Sequence, residues 1–195
     1  MRSAGPVQPA GTRGGRGGRD SIVRLRNGAA VRVRPIRPDD EPRLMALCNR
    51  LSADTVYRRF FSPRRLRPEE AHAFANVDGR TRLAVVAEVE TGPDPELIGV
   101  ARYGPSDEEG LADVGLVVED GWQGQGLGRI LLDEILRAGD ARGIAGFSAD
   151  VLTDNHRALL LLARATSIVK RTTSDGVTRL VFRRRPENSR LPAAS

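Results

Sequence analysis

Lysine is all but missing from this chain: of the 31 basic side chains, Lys170 is the single lysine and the rest are arginine. Cysteine is as scarce. Cys48 stands alone, which excludes an internal disulfide and fits a reducing, cytoplasmic setting. With His72 and His156, the two histidines, it makes no metal-ligand spacing, so no metal centre is expected. Aromatic residues make up 4%, so a core has to be built from Leu, Val, Ala and Ile. No apolar run approaches the roughly 18–20 residues that cross a bilayer, and no membrane partner is expected. The N-terminus carries charge and glycine but lacks the apolar stretch of a secretory signal. No Gly-Lys-Ser/Thr closes a glycine loop, which excludes a P-loop nucleotidase, and no serine sits in a nucleophile elbow. No segment repeats.

What is present suits one domain. A chain of 195 residues accommodates a single core of about 160 residues with frayed ends. Residues 1–20 hold Gly, Pro and Arg with few apolar side chains, which cannot repay ordering entropy, so they read as a disordered tail. Within them Gly14-Gly15-Arg16-Gly17-Gly18-Arg19 looks like an RNA-binding Arg-Gly segment. One short copy is weaker support for that role than for a solvated tail, so a nucleic-acid partner is not expected. Residues 186–195 form a second tail, leaving 21–185 as the domain. The net charge of +6 is compatible with nucleic acid or with a small anionic ligand.

Hydrophobic spacing alternates strand and helix periods along the domain. Ile22–Leu25 and Ala30–Arg34 flank Arg26-Asn27-Gly28, the signature of a β-hairpin. Pro38-Asp39-Asp40-Glu41 opens a helix carrying Leu44, Leu47 and Leu51 at helical spacing. Ser52 caps a short second helix through Tyr57, and Pro68-Glu69-Glu70 starts a third through Val77. Residues 82–90 and 96–103 read as strands around the turn Gly92-Pro93-Asp94-Pro95, and 111–118 as the next strand. A helix over 126–142 places Leu127, Ile130, Leu131, Ile135 and Ala138 on one stripe. A strand at 145–151, a helix at 155–165 and strands at 167–173 and 177–184 around Ser174-Asp175-Gly176 complete the order. Hairpin, helices, three-strand meander, then a βαβ unit, helix and hairpin describe an α/β domain.

The most informative stretch runs from Val114 to Arg129. An apolar strand leads into a turn, a loop holding Gly121, Gly124, Gly126 and Gly128, and an amphipathic helix. That order aims backbone N–H groups and the positive end of a helix dipole at one point, where glycines let an anion approach the main chain. A dinucleotide fingerprint is the first rival, with Asp150 about twenty residues on. It fails twice: five residues separate Val118 from Gly124, and its third glycine position is Arg129.

The spacing Gln123-x-x-Gly126-x-Gly128 resembles the pyrophosphate loop of the GCN5-related N-acetyltransferases (GNAT), which bind acetyl-CoA. Arg34-Pro35-Ile36-Arg37-Pro38-Asp39-Asp40 resembles the passage from first strand to first helix in that family. Leu51-Ser52-Ala53-Asp54-Thr55-Val56-Tyr57-Arg58-Arg59-Phe60-Phe61 is similar to a segment of the bacterial protein lysine acetyltransferases that modify acyl-CoA synthetases. The resemblance covers about residues 22–184. It implies a GNAT-like mixed, mostly antiparallel sheet flanked by helices in a single domain, as a monomer or homodimer. It also implies acetyl-CoA as co-substrate and a protein lysine or small amine as acceptor.

The resemblance assigns roles residue by residue. Backbone groups of Leu116, Val117 and Val118 would pair with the pantetheine amides. N–H groups of Gln123, Gly124, Gln125, Gly126, Leu127, Gly128 and Arg129 would hold the pyrophosphate. Asn155 would contact the pantetheine or thiol end while also serving as a helix N-cap. Trp122 is expected to pack beneath the loop.

Transfer to an amine needs a base, because a lysine with a reference pKa near ~10.4 is protonated at neutral pH. The family often places a Glu early on the strand before the loop, where this chain has Asp113, on one face with Gly115 and Val117 by period-2 alternation. Glu88 and Glu90 on the neighbouring strand are the alternatives. The chain departs from the family pattern at Thr166-Ser167, where Gly-Phe is common, and in lacking a Tyr within 155–165, which leaves thiolate protonation to water. Those departures keep open a second class of function, a catalytically weak CoA-binding regulatory or RNA-associated module on the same fold. The scarcity of lysine has two open readings: an Arg-rich genome, or a lysine acetyltransferase that presents few lysines of its own.

Overall fold

The computed structural model describes residues 20–90 and 94–185. The tails expected over 1–20 and 186–195 lie outside the described residues, apart from Asp20, which pairs with Arg32 at 2.7 Å. Of the turn expected at 92–95, Gly92 and Pro93 lie outside as well.

The first elements are the hairpin strands β1 (Ser21–Arg24) and β2 (Ala30–Pro35). Gly28, at φ 85°, takes the left-handed position that the Asn-Gly pair prescribes. A 3-10 turn at Pro38–Asp40 leads into α1 (Glu41–Arg50), followed by α2 (Ala53–Phe60) and α3 (Pro68–Ala75). Ser52 caps α2, its hydroxyl accepting from the Thr55 N–H at 3.2 Å. The helix runs three residues past the expected end, until Phe61 adopts a left-handed conformation.

The meander strands are β3 (Leu83–Val89), β4 (Glu96–Pro105) and β5 (Leu111–Val118). Then come α4 (Leu127–Asp140), β6 (Gly146–Leu152), α5 (His156–Ala165), β7 (Thr166–Ser174) and β8 (Val177–Arg184). All eight strands form one sheet in the order β1-β2-β3-β4-β5-β6-β8-β7. Every pairing is antiparallel except β5 with β6, which the α4 crossover makes parallel. This is the mixed, mostly antiparallel sheet that the resemblance implies.

The sheet divides the core in two. On one face Leu127, Leu131, Leu132, Ile135 and Leu136 of α4 pack on Val85, Ala87, Val114 and Phe147. On the other, Leu44 and Leu47 of α1, Val56 of α2 and Ala71 of α3 cover Ala84, Val86 and Val117. β3 is buried along its whole length, and both layers also take residues from β4 and β5. Each fully buried leucine contributes about 1.5–3 kcal/mol, so the two layers together fix how β5 lies.

β5 and β6 pair over three residues, Leu111–Asp113 against Gly146–Ser148. No register continues beyond them, so the strands part at the C-terminal end of β5. That parting makes the site.

Candidate active site

A cleft of about 710 Å³ opens where β5 and β6 separate. Leu116, Val117 and Val118 form one wall, and Asp154, Asn155 and His156 with Leu160, Leu161 and Arg164 of α5 form the other. The β5–α4 loop closes one end through Gln123, Gly124, Gly126, Gly128 and Arg129.

Main-chain alternation decides which groups of β5 face the cleft. The Glu119 N–H donates to the Ile98 oxygen at 2.9 Å, so odd-numbered residues turn their N–H and C=O toward β4. Leu116 and Val118 therefore present theirs to the unpaired edge. Val117 presents a side chain to the cleft but commits its main chain to β4, unlike the expectation for that residue.

Within the loop, the N–H groups of Gly124, Gln125, Gly126, Leu127 and Gly128 donate to nothing among the described residues. The Gln123 N–H is spent on the Asp120 oxygen (3.2 Å) and that of Arg129 on the Gly126 oxygen (3.1 Å). Five of the seven expected donors are thus free, and they converge at the positive end of α4. Gly124 and Gly126 sit at φ 78° and 95° with open space where a Cβ would stand, the two conditions that bring an anion to the main chain. Leu127 is in the core by its side chain and contributes through its backbone alone. Gln125 does not line the wall; its carbonyl accepts from the Arg26 N–H at 3.2 Å, so the β1–β2 turn braces the loop. Trp122 packs against the main core, as expected.

Gln123 acts through its side chain. Its Nε2 donates to the Val118 oxygen (3.0 Å) and Thr55 Oγ1 (3.3 Å), and its Oε1 accepts from Arg157 (2.6 Å). It thereby ties β5, α2 and α5 together at the neck of the cleft. Asn155 lines the opposite wall and caps α5, its Oδ1 accepting from the Ala158 N–H at 3.2 Å. Its amide nitrogen makes no hydrogen bond among the described residues.

Asp113 lies outside the cleft lining, on the α2-side face of β5 with Gly115 and Val117. It reaches solvent, and Ser148 donates to it at 3.3 Å. Burial, then the charge of Asp150 on β6, push its carboxyl above the ordinary carboxylate range, and the Ser148 hydrogen bond and the charges of Arg179 and Arg59 oppose them. Such a group is a stronger base than a surface carboxylate. The alternatives stand in different surroundings. Glu88 is buried and held by Arg34 at 2.5 Å and Arg43 at 3.3 Å. Glu90 is exposed beyond the end of β3, away from the cleft.

The sequence reading missed the cations around the mouth. Arg26, Arg58, Arg59, Arg157 and Arg164 line the cleft with Arg129, as does His156 at the start of α5. Arg58 and Arg59 fall inside the segment singled out for its resemblance, but Arg26 arrives from the hairpin turn and Arg164 from α5, where nothing local marks them. Thr166, in the position of the family's common glycine, is buried and donates to the Leu162 oxygen at 2.7 Å, ending α5 and starting β7 without a loop. His72 is at the surface, bonded to Glu41 at 2.8 Å. No group of three or more potential metal ligands occurs among the described residues, and no helix there is long and apolar enough to cross a membrane.

A parted parallel pair with a free strand edge, closed by a loop of free amides under a cationic mouth, defines a class that binds an extended, phosphorylated ligand. The comparisons give that class its name. A model of the acetyltransferase (GNAT) family matches residues 47–165. Acetyltransferase PA5475 of Pseudomonas aeruginosa is 27% identical over 164 residues, which cover 83% of this chain and 87% of that protein. Acetyltransferase Pat of Mycolicibacterium smegmatis is 31% identical over 135 residues, 68% of this chain; the chain spans 40% of Pat's length. The solved GNAT domain of S. lividans PAT aligns with a TM-score of 0.75 at 33% identity, covering 84% of this chain and 96% of that one. YncA of Salmonella typhimurium, solved with its cofactor acetyl-CoA, shares the fold at a TM-score of 0.61 and 15% identity, over 84% and 99% of the two chains.

The chain belongs to the GNAT acetyltransferase family. It is an N-acetyltransferase, with acetyl-CoA as its co-substrate.

Proposed function

We propose that this enzyme moves the acetyl group of acetyl-CoA to the ε-amine of a protein lysine by direct transfer, with Asp113 as the base. The observation that carries the reading is the parted β5–β6 pair, which leaves a free strand edge beside an anion-binding loop and sets a carboxylate of raised pKa on the adjoining face. The likeness to the GNAT domain of S. lividans PAT, and the segment Leu51–Phe61, support a protein lysine over a small amine.

The free amides of residues 124–128 hold the pyrophosphate, and Arg26, Arg129 and Arg164 supply positive potential for the phosphates. Leu116 offers its N–H and C=O, and Val118 its N–H, to the pantetheine arm, which runs as an added strand; the Val118 oxygen is held by Gln123. The free Asn155 amide nitrogen donates from the opposite wall. Asp113 lies three residues before Leu116, about 10 Å along the strand, so it takes the amine proton through a short chain of waters. The neutral amine then attacks the thioester carbonyl, the C–S bond breaks, and the surplus proton on the nitrogen passes through water to the departing thiolate.

The test is Asp113→Asn, which keeps the shape and removes the base. Turnover at pH 7 should fall roughly 10²-fold or more, while acetyl-CoA affinity measured by calorimetry stays unchanged. The deficit should be greatest near neutrality and shrink as pH rises toward the lysine pKa of ~10.4. Near-normal turnover of the Asn variant at pH 7 would make Asp113 structural. Proteome-wide lysine acetylation in wild-type and deletion strains then identifies the acceptor.

A further inference from the structure

Two guanidinium groups on the Asp113 face are left without partners. Among the described residues Arg59 of α2 and Arg102 of β4 make neither an ion pair nor a hydrogen bond, although Arg34, Arg43, Arg50, Arg64, Arg137 and Arg179 are each held by carboxylates. Both are half-buried. Aromatic rings hold them instead: Arg102 lies 3.9 Å over the Phe74 ring and Arg59 5.2 Å over Phe60. A guanidinium held by a ring face still carries its N–H donors, which a carboxylate accepts in a fork.

Their surroundings make the missing partner conspicuous. Burial lowers the pKa of both, that of Arg102 to about 10, with the charge of Arg59 as its second cause, so each group repels the other. Neither nearby carboxylate hydrogen-bonds them: Asp113 acts on both only through its charge, and Glu70 is held by both nitrogens of Arg64. Arg59 crosses β5 at Gly115, where a Cβ would collide with the guanidinium, so the strand has lost a side chain to admit it. Beneath the pair lies an apolar pit that Leu44, Cys48, Phe60 and Val117 help to line, with room for about one water-sized group, so a ligand carboxylate has space at its mouth and not within it.

Arg59 borders the acetyl-CoA cleft as well, but Arg102 does not, so an anion shared by the two is not a coenzyme phosphate. We propose that Arg59 and Arg102 form a carboxylate-binding subsite for the acceptor, which selects amines carrying a carboxylate a few bonds from the reacting nitrogen or an acidic residue beside the target lysine. The subsite rests on the reading of the Asp113 face as the acceptor side.

Two measurements on the full chain test it. The first follows acetyl-CoA consumption with matched acceptors: free amino acids against their α-amides, and lysine peptides flanked by Glu against the same peptides flanked by Gln. The charged member of a pair should have a kcat/KM at least about tenfold higher. Preference for the free acids identifies a small amino-acid-like acceptor, and preference for the Glu peptides an acidic protein segment. Arg102→Gln should abolish the preference at unchanged acetyl-CoA affinity, and Arg102→Lys, which keeps charge but not the fork, should restore part of it.

The second needs no turnover. Titration with sodium glutarate should shift the side-chain Nε–Hε NMR signals of Arg59 and Arg102, and neutral glutaramide should not. Equal use of charged and neutral acceptors, or unmoved arginine signals under glutarate, overturns the subsite. An Asp113→Asn variant of normal activity overturns the base instead, because the glutarate titration reads the two arginines directly.

Discussion

In the proposed reaction Asp113 and Gly126 act in opposite ways, one by what its side chain holds and the other by having none. Gly126 occupies a left-handed conformation at φ 95° with no atom within 4 Å of a virtual Cβ. A glutamate there would place a negative charge where phosphate binds, so Gly126→Glu should weaken acetyl-CoA binding by about 2–3 kcal/mol, a loss of more than tenfold by calorimetry. A folded variant with unchanged affinity would remove the loop from the binding site. For Asp113 the adjustable neighbour is Asp150, whose carboxylate raises the Asp113 pKa and which is itself paired with Arg179 at 3.2 Å. Asp150→Asn removes the like charge and frees Arg179, and both changes favour ionised Asp113. Its pKa should therefore fall toward the ordinary value near ~3.9, as read by carbon-13 NMR of the carboxyl through a pH titration. A pKa that stays in place would leave burial as its sole cause.

Secondary-structure elements were largely legible because the sequence states their periods. Leu44, Leu47 and Leu51 are all buried as their spacing demands, and four of the five residues on the α4 stripe are buried, with Ile130 at its margin. Errors fall at ends: α3 stops at Ala75 rather than Val77, and the first turn before α1 is 3-10. The loop and Asn155 were legible because glycine spacing and an N-cap are local signals. The cationic mouth and the Arg59–Arg102 pair were not, since three-dimensional proximity of residues from β4, α2, α5 and the hairpin turn leaves no spacing to read.

The same holds for a buried ion cluster that fastens α1 to the sheet. Arg34 on β2 binds Asp40 at 2.6 Å and Glu88 of β3 at 2.5 Å, with Arg43 completing the set. Arg34→Ala leaves two buried carboxylates with only the partly exposed Arg43 and, for Glu88 at 3.8 Å, Arg32, and should cost about 3–5 kcal/mol in urea unfolding at pH 7. Burial works against ionised Asp40, yet the Arg34 hydrogen bond, the Arg37 N–H and nearby charges hold its pKa below the usual value. Its contribution is therefore present above ~3.9 and lost as pH falls through the lower folded value. Wild type should lose stability below about pH 4, and the variant should lose less over the same range. Equal acid sensitivity would show that the cluster contributes nothing to folding.

At the scale of the molecule, a chain of net charge +6 with almost no lysine gathers arginines around one opening. Arg58 is neutralised, pairing with Asp54 at 2.7 Å and reaching Asp154 at 3.4 Å, and Arg157 is anchored by a hydrogen bond to the Gln123 amide. Arg26, Arg129 and Arg164 form no ion pair among the described residues, and they stand on three sides of the cleft: hairpin turn, loop and α5. A low-dielectric cleft with unneutralised cations at its rim concentrates field lines and draws in a polyanion such as acetyl-CoA. Such attraction acts across solvent, where the screening length is about 10 Å at 0.1 M salt. Raising ionic strength from about 0.05 to about 0.5 M should therefore raise the acetyl-CoA Kd roughly three- to tenfold, mostly through a slower association rate. Arg164→Gln should flatten that dependence, because α5 contributes its charge without touching the loop amides. Stopped-flow binding at several salt concentrations separates the two contributions. A salt-independent association rate would mean that the free amides of residues 124–128 capture the cofactor unaided and that the arginines at the mouth serve the fold alone.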